Sequence, residues 1–302
     1  MIELPPKKVS EPSKHCFGGD WTVDKLGRLH KYLAAYTKIM AKQHFDFAYI
    51  DAFAGTGYIS KEQDDNSDNS LFLDLGLAEP QTFLSGSVKT ALEIEPRFSK
   101  YVFIEKDAAH CNDLKATCNE HQQLLPRIDI VNEEANTFLQ NLCDNFNWAK
   151  NRAVLFLDPY GMQVEWKTIE SIARTKAIDM WLLFPLGMSI NRMLIKDGKI
   201  PAAWVRKLDR FFGTHGWEQQ FYGQQTNPTL FGEEISIVKT SNFEVIGKYF
   251  IGRLKTIFPC VAENPLTLRN SRNIPLFLLC FAAGNEKGGE IAKRIAEHIL
   301  GK

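Results

Sequence analysis

Apolar positions along this chain fall into two patterns that alternate from residue 47 onward. Short, mostly apolar runs, Phe47 to Ile50, Tyr101 to Glu105, Ile128 to Val131, Ala153 to Leu157 and Ile178 to Phe184, have the length and composition of strands in a buried sheet. Between them lie segments whose apolar residues recur every three or four positions: Val88 to Ile94, Asp107 to His121, Phe138 to Phe146 and Trp166 to Arg174. A longer segment, Trp21 to Gln43, places Leu26, Leu29, Leu33, Tyr36 and Ile39 on one stripe ahead of the first strand. Five strand and helix alternations predict an α/β domain with a doubly wound, mostly parallel sheet covered on both faces.

The C-terminal third changes character. Residues 191–240 are rich in Trp, Phe, Arg and Lys without regular alternation, and predict helical pieces over the substrate side. Asn242 to Ile257 reads as a helix. Pro259 to Leu268 and Ile274 to Ala283 bracket the turn Arg269-Asn270-Ser271-Arg272-Asn273, a hairpin that closes the sheet with antiparallel strands. Glu286 to Leu300 predicts a last helix with Ile291, Ile295 and Ile299 on its stripe. The expectation is a seven-stranded Rossmann-like sheet ending in an antiparallel hairpin, with extra helices. Residues 1–20 read as a loose arm, 21–302 as one domain with a helical insertion at about 191–240, and Lys61 to Asn69 (KEQDDNSDN) as an inserted loop or lid.

Candidate chemistry sits at the strand tips. Phe47 to Ile59 (FAYIDAFAGTGYI) ends its apolar run in Asp51 and then turns through Gly55 and Gly57, which bring backbone close to a ligand. Ser60 stands where a dinucleotide fingerprint needs Gly or Ala, so a pyrophosphate seat is not expected. Glu105 ends the second run, where an acid can accept two ribose hydroxyls; it can equally cap a helix or pair with Lys106. Glu134-Ala135-Asn136 follows the third run and reads as an adenine contact or as a turn and helix cap. Asp158-Pro159-Tyr160-Gly161 closes the fourth run, either as an acceptor corner or as a Pro-terminated strand with a loop Tyr.

Composition narrows the partners. Lys plus Arg and Asp plus Glu each number 36, so no global positive field draws the chain to nucleic acid or anionic lipid. A nucleic-acid acceptor needs a local patch, for which Arg192, Arg206, Lys207 and Arg210 interleaved with Trp204, Phe211, Phe212 and Trp217 are candidates, against an ordinary amphipathic helix. Six Cys without a CxxC spacing, and no signal-like stretch, point to a reducing cytoplasm. The run Ile274 to Ala283 is too short to span a bilayer. His110, Cys111, Cys118 and His121 have a zinc-like spacing, but the two Cys fall seven apart on a predicted helix and read as a shared buried face, so no metal is expected.

The turn at Asp51 to Gly57 resembles motif I of the class I S-adenosylmethionine-dependent methyltransferases. Asp51-Ala52-Phe53-Ala54-Gly55-Thr56-Gly57, Gly86-Ser87 before Ala91-Leu92, Phe103-Ile104-Glu105 and Phe156-Leu157-Asp158-Pro159-Tyr160-Gly161 together resemble the three-Cys-motif partner family over roughly residues 21–195. The Lys25 to Ile39 helix, Trp166, Asp179 and Phe184-Pro185 extend the likeness. The resemblance implies S-adenosylmethionine as cofactor, held by Asp51, Phe53, Ala54, Gly55, Gly57, Glu105, Glu134 and Asn136. It implies an acceptor corner at Asp158, Pro159 and Tyr160, similar to the Asp/Asn-Pro-aromatic tip of enzymes that methylate base amino groups. It also implies a cluster-binding protein with a three-Cys motif as partner. One Pro instead of two, and Glu134 where the family shows Asp, are departures. The competing expectations are a non-catalytic module that keeps the pocket's shape and binds the cluster protein, and a nicotinamide oxidoreductase, which the missing third Gly disfavours.

Overall fold

The computed structural model of the chain describes residues 20–55, 86–159, 161–229 and 232–301. The arm before Asp20, the acidic loop 61–69, Thr56, Gly57, Ser85 and Tyr160 lie outside these described residues. Helix α1 (Asp20–Met40) leads into β1 (Asp46–Asp51), and α2 (Gly86–Glu93) precedes β2 (Lys100–Ile104). Then come α3 (Ala108–Asn119), β3 (Ile128–Val131), α4 (Ala135–Asn145), β4 (Asn151–Leu157), α5 (Trp166–Arg174) and β5 (Ile178–Phe184). A π-helical turn (Leu186–Ile190) runs into the short α6 (Asn191–Met193), followed by α7 (Ala202–Phe212), α8 (Trp217–Phe221), β6 (Tyr222–Thr229) and β7 (Gly232–Lys239). The chain closes with α9 (Phe243–Lys255), β8 (Cys260–Val261), β9 (Leu266–Arg269), β10 (Pro275–Ala283) and α10 (Gly289–Leu300).

The sheet runs β3-β2-β1-β4-β5-β10-β8, with β9 also paired to β10. Strands β1 to β5 are parallel, and β10 lies antiparallel to β5, with Leu278 opposite Phe184. This is a mixed, mostly parallel, Rossmann-like α/β sheet, ending in the expected antiparallel hairpin. Among the described residues the sheet has eight strands and not seven, because Pro259 to Leu268 is broken: β8 and β9 both lie along β10, on either side of Pro265, which has no N–H for a ladder.

Both faces of the sheet are covered, which is why the parallel strands read as largely apolar runs; every residue of β5 is buried, Asp179 included. One face packs α4, α5, α7, α8 and α9 around Trp166, Phe184, Phe211, Phe212, Trp217 and Phe250. The other packs α1, α2, α3 and α10 around Tyr32, Tyr49, Phe98, Phe103, Trp181 and Phe281. Helix α1 is bolted down by polar contacts as well: Tyr32 donates to the buried carboxylate of Asp179 at 2.7 Å, and Arg28 donates to the Ile299 carbonyl.

Three local expectations differ from the structure. Residues 191–240 are helical only in part, since β6 and β7 form a separate antiparallel ribbon from Tyr222 to Lys239. Its strands carry Ile235 and Ile237 exposed, so burial gives the ribbon no apolar signature. In α10, Ile299 is buried but Ile291 is 57% exposed; Ala296 and Leu300 take the inner stripe. Phe211, Phe212 and Trp217, candidates for stacking on nucleic acid, are core residues and so do not face solvent.

Candidate functional site

The tips of β1, β2 and β4 lie side by side at the carboxyl edge of the sheet, the edge where open α/β sheets receive ligands. Asp51 ends β1, directly opposite Phe103 of β2 and Phe156 of β4, so Glu105 and Asp158 each stand two residues beyond those partners. The first segment and the Asp158 corner therefore open on one edge.

Asp51 is fully buried. Its carboxyl accepts from the Tyr49 hydroxyl at 3.2 Å and from the Phe53 N–H at 3.3 Å, and Ser87 at the start of α2 supplies a further side-chain hydrogen bond. Burial pushes its pKa up to about 6, and the negative charge of Asp158 adds to the rise, while the Ser87, Phe53 and Tyr49 hydrogen bonds oppose it. The β1–β4 register places the two acids at the same edge of the sheet.

Beyond Asp51 the chain stays pinned to β2: the Ala54 N–H donates to the Ile104 carbonyl at 3.0 Å. Phe53 is half-buried against the core, and Ala54 is buried. At Gly55 a Cβ would overlap the Glu105 carboxylate, so this position is glycine because an acid from the next strand occupies the space over it. Oε1 of Glu105 accepts from the Asp107 N–H at 2.7 Å, and Oε2 is the atom over Gly55. Both readings of Glu105 thus have a counterpart: one oxygen braces the start of α3, the other faces the glycine turn.

Glu134 and Asn136 do structural work. Glu134 is the N-cap of α4, with Oε1 accepting from the Asn136 backbone and side-chain N–H groups at 3.0 and 2.7 Å and Oε2 accepting from Thr137 at 2.8 Å. Partial burial works to raise its pKa, but these hydrogen bonds outweigh burial and hold it below the usual value. Asn136 donates to Glu134 and to the Gln163 carbonyl, and accepts from the Glu165 N–H and the Thr168 hydroxyl. Both donors and both acceptor positions of its amide are spent, tying α4 to the approach to α5. An adenine contact through this side chain has to displace one of the four.

At the fourth tip, Pro159 is buried and its carbonyl accepts from the Gly161 N–H at 3.0 Å, a tight turn that holds Gly161 at φ +89. Asp158 is a quarter exposed, and its Oδ2 accepts from Lys25 Nζ at 2.6 Å. Lys25 comes from α1, is 5% exposed, and carries its ammonium 5.1 Å from the Trp21 ring centroid. Lys25 and Ser87 are the site residues that sequence reasoning left out. The available signal was a charged residue on the apolar stripe of α1, four before Leu29, since a buried ammonium needs a partner.

The zinc-like spacing dissolves on α3. Cys111 and Cys118 are buried thiols, and burial pushes Cys118 up to about 11. Among the described residues no group of three His, Cys, Asp or Glu is placed to hold a metal ion. Among the same residues no helix is long and apolar enough to cross a membrane.

No protein-family model matches the chain, and no curated protein matches it. Solved structures do. The Escherichia coli protein yhhF, described as a candidate methyltransferase, shares 13% identity at TM-score 0.29, over 70% of this chain and 87% of its own. A Listeria monocytogenes protein, described as a candidate S-adenosylmethionine-dependent methyltransferase, shares 10% at TM-score 0.33, over 83% and 97%. The spermidine synthase of Thermotoga maritima shares 10% at TM-score 0.38, over 89% and 61%. At these TM-scores the likenesses carry no argument about the reaction. What the chain has of its own is a mostly parallel α/β sheet with three carboxylates at the tips of β1, β2 and β4.

Proposed function

We propose that this crevice binds S-adenosylmethionine and that the protein transfers its methyl group to a nitrogen acceptor seated at Asp158. The supporting observation is the placement of the Glu105 carboxylate over Gly55 beside Asp51 and Asp158. The edge is acidic, and the Gly55 turn is roofed by an acid. Such a site suits a cofactor with a sulfonium, an ammonium and a ribose diol, and repels the two phosphates of a dinucleotide.

The chain's own groups divide the work. Asp51, with the backbone of Ala54 and Gly55, receives the ammonium end; Glu105 receives the ribose hydroxyls through Oε2 and the remaining capacity of Oε1. Asp158 accepts an N–H of the acceptor and so points the nitrogen lone pair at the methyl group, which is the alignment on which an in-line transfer depends. The cofactor supplies an already activated methyl. Residues beyond the described ones, Gly57 and Tyr160, complete the proposal as backbone turn and stacking ring. A nucleobase-like acceptor, a three-Cys-motif partner and a cytoplasmic setting belong to the proposal through the sequence resemblance.

A second reading, a non-catalytic module that retains the pocket and binds a cluster-containing protein, is favoured by one observation: the acceptor acid is already bonded to Lys25. Thermal unfolding with added ligand tests the cofactor. S-adenosylhomocysteine at a hundredfold its Kd should stabilise the fold by about 2.7 kcal/mol while reduced nicotinamide dinucleotide leaves it unchanged. Stabilisation by the dinucleotide alone would reverse the assignment.

A further inference from the structure

We infer that Lys25 is itself a methyl acceptor, so that the chain carries an internal substrate for the reaction proposed above; the inference rests on that reading. In that reading Asp158 marks the acceptor by taking one of its N–H hydrogens. The N–H that Asp158 takes in this structure belongs to Lys25, at 2.6 Å.

The contact is built and not incidental. Lys25 lies on the inner face of α1 with Leu29, Tyr32 and Tyr36, and α1 is fixed to the sheet by the Tyr32–Asp179 hydrogen bond at 2.7 Å. The ammonium is therefore delivered to one place, with the Trp21 ring on one side and the Asp158 carboxylate on another. Asp158 in turn stands two residues beyond Phe156, the β4 partner of Asp51, which puts the Lys25 nitrogen at the same carboxyl edge of the sheet as Asp51 and not behind a remote part of it.

The step balances without a further reagent. The Lys25 ammonium gives one proton through Asp158 to water, leaving a lone pair on Nζ. That pair forms the N–C bond as the S–C bond of the sulfonium breaks, and the sulfur keeps the bonding electrons. The products are a methylated ammonium, S-adenosylhomocysteine and the released proton. A mono- or dimethylated ammonium keeps an N–H for Asp158 and its attraction to Trp21, whereas a third methyl removes the last donor, so the modification stops at two.

The experiment incubates the full chain with S-adenosylmethionine carrying a deuterated methyl group and no added acceptor, followed by peptide mass spectrometry. Binding of S-adenosylhomocysteine to the same preparation is measured by calorimetry. One or two methyl groups on Lys25, deuterated or already present on isolation, and absent from Asp158→Asn, support the inference. Unmodified Lys25 in a chain that binds S-adenosylhomocysteine overturns it and leaves the cofactor reading standing. Methyl groups only on other residues also overturn it. A chain that neither binds S-adenosylhomocysteine nor gains methyl groups removes both.

Discussion

Gly55 and Glu105 share one volume: a single carbon added to the first would overlap the carboxylate of the second. The glycine turn after β1 and the acid after β2 are thus parts of one device. The acid needs the glycine to reach over the turn, and the turn presents bare backbone beneath the acid. Gly55→Ala forces the flexible Glu105 side chain aside, so stability should fall by less than about 1 kcal/mol while S-adenosylhomocysteine binding weakens at least about tenfold, a loss of 1.4 kcal/mol. Urea unfolding and calorimetry on the same variant measure the two effects. A variant that binds as the parent does removes Glu105 from the site.

The raised pKa of Asp51 makes ligand binding pH-dependent. With a folded value of about 6 against 3.8 for the free side chain, the acid is protonated in the ligand-free protein below about pH 6. A ligand ammonium requires the ionised form, so affinity should rise by up to about tenfold per unit from pH 5 to pH 6 and level off by pH 7. The same shift acts on stability with the opposite slope. Between pH 3.8 and about 6 the folded protein holds a proton that the unfolded chain has lost, so the contribution of Asp51 falls as pH rises, by about 3 kcal/mol in all. Asp51→Asn should abolish the affinity dependence and remove its share of the stability slope, leaving the share of Asp179, whose pKa burial also pushes up to about 6; isothermal titrations and urea melts across this range would reveal both.

Lys25 and Asp158 should respond unequally to truncation. Asp158→Ala strands a nearly buried ammonium, whereas Lys25→Met leaves a carboxylate that is a quarter exposed and still reaches water. The first should cost about 3 kcal/mol and the second about 1 kcal/mol in chemical unfolding. Equal costs would mean that water reaches Lys25 as readily as Asp158.

Asn136→Ala separates two roles for that residue. Losing three hydrogen bonds between α4 and residues 163–168, and a fourth to the Glu134 cap, should destabilise the fold by about 2 to 4 kcal/mol. At a temperature where the variant remains folded, S-adenosylhomocysteine affinity should change less than about threefold. A large affinity loss with unchanged stability would instead assign the side chain to adenine.

Much of the fold was legible because burial on both faces writes parallel strands as largely apolar runs; Ala153 to Leu157 and Ile178 to Phe184 fall within β4 and β5. The acids at the ends of those runs were legible for the same reason, since Asp51 and Asp158 end the apolar pattern at the carboxyl edge of the sheet. The β6–β7 ribbon was not, because its strands face solvent and Ile235 and Ile237 gain no burial that would set a period. The Lys25–Asp158 pair was hidden by chain separation: local spacing shows a charge on an apolar stripe but not the partner that fold topology brings to it. Asn136 was legible as a capping residue or as a ligand contact, and only its four partners show that the amide is already spent.

Calorimetric titration of the full chain with S-adenosylhomocysteine at pH 7.5, beside Gly55→Ala and Asp51→Asn, tests the shared crevice most directly. The account predicts one site with micromolar affinity, about −8 kcal/mol, that both substitutions weaken without unfolding the protein. A folded parent chain that releases no heat, or binding that is indifferent to both substitutions, would contradict it.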